Sequence, residues 1–358
     1  EHPIFKKNPF NYIDLVAVSI ASDIVPITGE NRVLAHYGLK KLNSQATDGL
    51  EQLKHTAKYL KDYSITDVVF KLGPRINAAG RIEHASKAVD LLIGEKSDEM
   101  EELGARINNL NLTRRELEQE ITQACINQVE EDKTAANAVS IVVFGEDWHK
   151  GVVGIVASNL VEQYYKPTVV LTKSTAELAV GSARSVEGYN IYQALKECDF
   201  LFEKFGGHKA AAGLTIPIEN IDDFKTVFDD VVRSNITENL LTPKIWYDTE
   251  ISSSSINWSM YNTRERMGPF GPENMRPTFV CYNISPQKAR IIGEKHLKFG
   301  ISNSTGLLDC VAFNFGHIFD LLEEANQIDI CFTLETNEWR GNRTLQLNIK
   351  DIKVHHPK

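Results

Sequence analysis

Lys204 to Leu214, KFGGHKAAAGL, combines two glycines, a histidine, three alanines and a third glycine behind an apolar segment. Such a composition lets a backbone approach a ligand closely while one imidazole points at it, and a phosphate suits both features. Gly206, Gly207 and His208 are therefore candidate phosphate contacts. The bland alternative is a tight turn entering a packed helix, with His208 a structural histidine. Three further stretches have the same character. GPRINAAGR (Gly73 to Arg81) sets Arg75, Asn77 and Arg81 beside small residues, so that guanidinium forks meet an anion close to backbone; the alternative is a solvated helix start whose arginines pair with Glu83 or Asp90. His149-Lys150-Gly151 stands where a helix begins, and free amides with the helix dipole favour an anion there, although such residues are more often merely solvated. AVGSARS (Ala179 to Ser185) ends a strand with Gly181, Ser182, Arg184 and Ser185, three of which could face a phosphate. Asp23 is the other singular residue: a lone carboxylate in an apolar run, expected to be buried and then either paired, capping a helix end, or bound to metal.

The elements that position these residues read as α/β. Asn11 to Val25 is apolar nearly all round, a buried helix or a strand plus helix, followed by an amphipathic helix through Val33 and Leu42. Residues 43–64 read as a polar helical insertion, and Asp67 onward as a short β-rich run before Gly73-Pro74. From Ser97, a candidate N-cap, apolar residues recur at spacings of three and four through Met100, Leu103, Ile107, Leu110, Leu117 and Ile121, predicting one long helix that joins domains and carries no chemistry. A second domain begins near Ala136 with strand 139–144, helix 152–164 and strand 168–171, a βαβ-like unit, then helices at 191–195 and 222–232. After Thr242-Pro243, seven short strands (245–251, 278–284, 289–292, 297–301, 307–312, 328–335, 345–354) and a helical piece at 318–325 suit a small antiparallel barrel of the oligonucleotide-binding type. Tyr282, His296, Lys298, Phe299, Phe313, Trp339, Arg340 and Arg343 could stack on and track a single strand there, or serve the barrel core.

Length and composition bound the rest. At 358 residues two or three domains are expected, and 42% hydrophobic with 24% charged residues is ordinary for globular proteins. No apolar run approaches the ~18 residues that span a bilayer. Five scattered cysteines without a CxxC pair argue against a disulfide framework or structural zinc and for a reducing, cytoplasmic location. The net charge of −9 speaks against nonspecific coating of nucleic acid but leaves room for a basic groove. Glu1 is not a methionine, and EHPIFKKNPF reads as the middle of a longer protein.

Taken in order, DLVAVSIASDIVPITGENR, GPRINAAGR, WHKGVVGIVASNL, VGSARS, FGGHKAAAGL, GPFGPENMRPTF and HLKFGIS resemble the RecJ-type single-strand-specific exonucleases of the DHH phosphoesterase superfamily. The resemblance implies a metal-dependent phosphodiesterase that removes nucleotides from the 5′ end of single-stranded DNA in repair and recombination. It implies the C-terminal part of a DHH catalytic domain over 1–95, a connecting helix over 96–135, a DHH-associated domain over 136–238 and an OB-fold over 239–358. Asp23 would be a ligand of Mn2+ or Mg2+, two ions in the full-length protein. Arg81, Ser182 and Arg184 would grip the 5′-phosphate, with Arg75, Asn77, His149 and Lys150 as neighbours, and His208 would contact the scissile or adjacent phosphate. Single-stranded DNA is the implied partner, with a helicase and a single-strand-binding protein, no membrane, and a monomeric chain. The family's Asp-His-His triplet is absent from these 358 residues. The catalytic domain is therefore expected to be truncated and the chain inactive by itself. The competing readings are a DHH-superfamily enzyme for short oligonucleotides or cyclic dinucleotides, a non-catalytic single-strand-binding protein, and an editing domain like that of alanyl-tRNA synthetases.

Overall fold

A computed structural model describes residues 8–132, 137–304 and 306–354. The expected boundary near Ala136 lies outside these. The helices and strands run α1 (Ile13–Ser22), α2 (Gly29–Gln45), α3 (Asp48–Ala57), α4 (Ile65–Asp67), α5 (Gly73–Ile82), α6 (Ser86–Ile93), α7 (Asp98–Glu131), β1 (Ile141–Gly145), α8 (Val153–Tyr164), β2 (Thr168–Lys173), β3 (Leu178–Arg184), α9 (Ile191–Glu197), β4 (Lys204–His208), β5 (Ala211–Pro217), α10 (Ile221–Asn235), β6 (Thr249–Glu250), α11 (Trp258–Glu265), β7 (Thr278–Ile284), β8 (Gln287–Ile292), β9 (His296–Asn303), β10 (Gly306–Ala312), α12 (Phe319–Glu324), β11 (Ile328–Trp339) and β12 (Asn342–Val354). They form two compact units, one of residues 1–47, 60–70 and 244–358, the other of 48–59 and 71–243.

In the first unit α1 packs on α2 so closely that a Cβ on Gly38 would lie 2.3 Å from the Ile13 carbonyl oxygen and 2.5 Å from the Ala17 Cβ. The fully buried carboxylate of this unit is Asp14, which accepts from Lys41 Nζ (3.2 Å) and the Thr47 amide (2.6 Å). The seven-stranded sheet has the order β6-β7-β11-β12-β10-β9-β8. β7 and β8 follow one another across Ser285-Pro286 yet lie towards opposite ends of the sheet: β7 pairs with β11 and with the short edge strand β6, and β8 pairs with β9. The sheet closes around a core of Phe279, Phe299, Ile301, Ile330, Phe332 and Leu347. β10 runs parallel to β12, and β6 to β7, so the barrel is not wholly antiparallel as expected. Of the strand expected over 245–251 only Thr249 and Glu250 pair; Ile245, Trp246 and Tyr247 before them are exposed.

The second unit holds the five-stranded sheet β1-β2-β3-β5-β4, with β1 and β2 parallel and the rest antiparallel. Alternation splits its residues between two cores. Val169, Leu171, Ala179, Ala183, Leu214 and Ile216 pack with α9 and α10, where Phe224 and Phe228 are fully buried. Ile141, Val143 and Val170 face the other way, against α7 and α8 through Ile121, Cys125, Val156 and Leu160. α7 is the expected long helix, 34 residues capped by the Ser97 side chain, or about 50 Å. Two local expectations fail. The run Val68–Leu72, β-branched but followed directly by Gly73-Pro74 at a helix start, is a π-helical turn rather than a strand. KFGGHKAAAGL enters no helix: it is the hairpin β4–β5.

Gly38→Ala therefore forces α1 and α2 apart. The expected loss is about 1–3 kcal/mol of stability, read as a lowered urea midpoint; an unchanged midpoint would contradict this packing.

Candidate functional site

The expected anion loops converge on the entry to α8. The loop before it is fastened by Thr172, whose hydroxyl donates to the Trp148 carbonyl (2.7 Å), and its last residue, Gly151, accepts from Arg81 Nη1 (3.0 Å). The N-cap residue of α8, Val152, makes no side-chain capping hydrogen bond to its first turn. Opposite that turn lies the end of β3, where Arg184 Nη1 donates to Ser182 Oγ (2.7 Å) and the Ala183 carbonyl (2.8 Å). A Cβ on Gly154 would come within 2.9 Å of Arg184 Nη2 and 3.1 Å of Ser182 Oγ, so a side chain there would displace the tip of the Arg184 guanidinium from its place beside the helix. Because Ala179 and Ala183 point into the α9–α10 core, Ser182 and Arg184 point to the α8 face.

Cross-strand register carries the site to the histidine. Arg184 pairs with Ala211, and Ala211 with His208, so all three project from one face in one row, with Arg184 and His208 roughly 10 Å apart. The neighbouring row is Ser182, Gly213 and Gly206, a floor almost without side chains. A Cβ on Gly206 would meet nothing within 4 Å. Gly207, in contrast, has φ +152° and a Cβ there would lie 2.4 Å from the Ala211 carbonyl oxygen; the hairpin requires glycine. The Ala210 amide donates to His208 Nδ1 (3.3 Å) and the Gly151 amide to His149 Nδ1 (3.1 Å), which leaves Nε2 of each neutral ring as an outward N–H donor.

Electrostatics set this cluster apart. Partial burial, then the like charge of Arg114, lowers the pKa of Arg81, with Glu118 working in the other direction. Burial and the charge of Arg81 lower that of Arg184. Two guanidinium groups that crowd like charge together, beside an uncapped helix start, form a site that an anion would relieve.

The remaining expected residues divide. Asn77 is exposed one turn before Arg81 on the same face of α5, and Lys150 is exposed in the α8 entry loop. Arg75 turns away: its Nε donates to Asn108 Oδ1 of α7 (3.2 Å) and its Nη1 to the Lys71 carbonyl (2.6 Å). Glu83 pairs with Arg106 rather than with Arg75 or Arg81. Ser185 donates its hydroxyl to the Tyr189 carbonyl (2.8 Å) and serves its own loop. Gly181 presses on Leu171, which a Cβ would overlap at 2.5 Å. Arg114, Glu118, Asn159 and Gly154 escaped the sequence reading; Arg114 and Glu118 sit inside the α7 stripe that was given no chemistry.

Asp23 belongs to the first unit. It is exposed, not buried as expected, because it is the C-cap at which α1 leaves the core. The next residue, Ile24, is β-branched yet has φ +56°, a strained conformation that holds the Asp23 turn. Among the described residues no group of three His, Cys, Asp or Glu side chains could hold a metal ion, so Asp23 and its neighbours do not by themselves fit a metal centre. On the barrel, Tyr282, Phe313 and Trp339 are exposed. Phe299 is in the core and unavailable for stacking. Lys298 pairs with Asp309 (2.8 Å), His296 packs edge-on against Phe313 with Nδ1 accepting from the Asn314 amide (3.0 Å), and Arg343 donates to the Tyr261 hydroxyl (3.0 Å), while Arg340 lies over Trp339.

Residues 135–234 match the family model of the DHHA1 domain, and residues 247–351 that of the RecJ OB domain. The chain is 35% identical over 357 residues to the single-stranded-DNA-specific exonuclease RecJ of Bacillus subtilis, covering 99% of this chain and 45% of that protein. With the protein of the same name from Haemophilus influenzae it shares 32% over 354 residues, 95% of this chain and 61% of the other. The crystal structure of RecJ in complex with Mn2+ from Thermus thermophilus aligns with a TM-score of 0.85 at 25% identity, over 98% of this chain and 51% of that one. The chain thus spans about half the length of the relatives it matches. The chain thus carries a DHHA1 domain followed by a RecJ OB domain and is similar along almost all of its length to RecJ exonucleases.

Proposed function

We propose that the chain is the substrate-gripping part of a metal-dependent 5′-to-3′ exonuclease for single-stranded DNA, acting in repair and recombination. The observation that carries the reading is the meeting of Arg81, Ser182 and Arg184 at the uncapped start of α8, with His208 in the same cross-strand row as Arg184. Two guanidinium forks, a hydroxyl and a helix start offer donors around a tetrahedral terminal phosphate. The bare row of Ser182, Gly213 and Gly206 lets a sugar-phosphate backbone pass close by, and the Nε2 N–H of His208 donates to a following phosphate. Gripping the terminal phosphate sets polarity, since only a strand whose 5′ end reaches the arginines is held in register. His149, Lys150 and Asn77 add positive or polar surface beside the pocket; Arg75, Gly181 and Ser185 support it from behind.

In this reading residues 1–95 are the last part of a DHH catalytic domain, 96–135 the connecting helix, 136–238 the DHH-associated domain and 239–358 the OB-fold. Exposed Tyr282, Phe313, Trp339 and Arg340 give the barrel aromatic and cationic surface for unstacked bases. Asp23 offers one oxygen ligand to Mn2+ or Mg2+, which relatives hold according to their crystal structures. Held there together with further ligands, such ions would supply Lewis-acid polarisation of a phosphate and a more acidic water. Among the described residues no group of three His, Cys, Asp or Glu supplies the remaining ligands; on this reading the chain by itself would be inactive. The enzyme works in the cytoplasm as a monomer beside a helicase and a single-strand-binding protein.

Fluorescence anisotropy with a short single strand tests the grip. Arg81→Ala and Arg184→Ala each weaken binding of the 5′-phosphorylated strand about tenfold and leave the 5′-hydroxyl strand within about twofold. Equal loss on both strands would remove the basis for polarity. With Mn2+ or Mg2+ and a 5′-phosphorylated strand, this chain releases no nucleotides; metal-dependent release would overturn its assignment as the gripping part alone.

A further inference from the structure

Behind the pocket lies a charged network in an otherwise apolar stripe. On α7 the face that buries Asn111, Ile121 and Cys125 also carries Arg114 and Glu118, whose side chains are only 12% and 19% exposed. Arg114 Nη1 contacts Glu118 Oε2 at 2.5 Å and its Nη2 donates to Asn111 Oδ1 (2.8 Å). The other Glu118 oxygen accepts from Asn159 Nδ2 (3.1 Å), which also reaches Thr122 Oγ1 (3.4 Å). Asn159 lies on α8, the helix whose entry loop holds Arg81 through Gly151 and whose Gly154 abuts Arg184. Ile82, next to Arg81, packs into the same core as Leu117 and Ile121. α5, α7, α8 and β3 are thus joined around one charge group. A nearly buried ion pair is a poor source of stability compared with apolar residues of the same size. Its position one layer behind two ligand-facing arginines gives it a different use.

We propose that the Arg114–Glu118 pair, braced by Asn111 and Asn159, sets the charge of the anion pocket, and so its preference for a doubly charged terminal phosphate over a singly charged phosphodiester. This rests on the phosphate reading of the pocket. Arg81, Arg184 and Arg114 carry three positive charges against the one negative charge of Glu118, a net of +2, which balances a terminal phosphomonoester at neutral pH. Arg114 and Glu118 touch no ligand; they are positioning residues that tune the potential felt at Arg81. Arg114 raises that potential and Glu118 trims it, so the two members of one ion pair act with opposite sign on the ligand.

The opposite signs are the test. The quantity measured is the ratio of affinities for 5′-phosphorylated and 5′-hydroxyl forms of one short single strand, by anisotropy at low salt and pH 7.5, with thermal midpoints alongside. Glu118→Gln raises the ratio about fivefold and Arg114→Gln lowers it about fivefold, the size of one partly screened charge. Arg114→Lys, which keeps the charge, stays near the parent ratio. Asn159→Asp, which adds a negative charge at the same place, lowers it and serves if either glutamine variant fails to fold. If the glutamine variants shift the ratio in the same direction, or lower only the thermal midpoint, the pair is structural and the proposal fails. If the parent chain shows no preference for the phosphorylated strand, the phosphate reading itself is overturned, and the inference with it.

Discussion

Partly buried arginines held close together are the constraint around which this part of the second unit is arranged. Burial, and then the charge of Arg81, makes the charge of Arg184 harder to hold; burial, and then Arg114, does the same to Arg81 against the opposing charge of Glu118, and among the described residues neither Arg81 nor Arg184 has a carboxylate in hydrogen-bond contact. Such a pair stays together only if its backbones are fixed by something stronger. Here the fixing is done by donation to carbonyls: Arg81 to Gly151, Arg184 to Ala183, each tying a guanidinium to the frame that carries it. Everything nearby serves that frame. Thr172 anchors the loop before α8, Gly154 leaves room for the Arg184 guanidinium, and the two cores on either face of the sheet prevent the strands from shifting register.

The sheet itself does the geometric work that the loops only begin. A hairpin that pairs His208 with Ala211 and Ala211 with Arg184 spaces the imidazole from the guanidinium by two strand separations, a distance set by backbone hydrogen bonding and not by side-chain packing. Loops can drift with small changes in sequence; a cross-strand row cannot, short of a register slip that would turn Leu214 and Ile216 out of the core.

Much of this was readable from the residues. The four small-residue stretches with Arg, Ser or His were recognisable because glycine beside a donor has few other uses, and α7 because its apolar spacing runs for so many turns. What failed, failed for identifiable reasons. DVVFKL looks extended by its β-branched residues, yet the helix that follows at Gly73-Pro74 draws it into a π-helical turn. Asp23 looked buried because its neighbours are apolar, but the last turn of a helix faces whichever way the chain departs; the buried carboxylate was Asp14, nine residues earlier. Arg75 and Arg81 are indistinguishable by type and are separated only by the helical angle between them, which sends one to Asn108 and the other to Gly151. Arg114 and Glu118 were hidden because a charged pair spaced by four in a long helix looks like any solvated pair.

The floor of Ser182, Gly213 and Gly206 has a further consequence. Apart from one hydroxyl, its side chains offer no group that could distinguish adenine from thymine or guanine from cytosine, and at Gly206 and Gly213 none protrudes. On the proposed single-strand reading, a strand lying across this row would meet no side chain that favours one base over another, so these three residues would leave base identity unread.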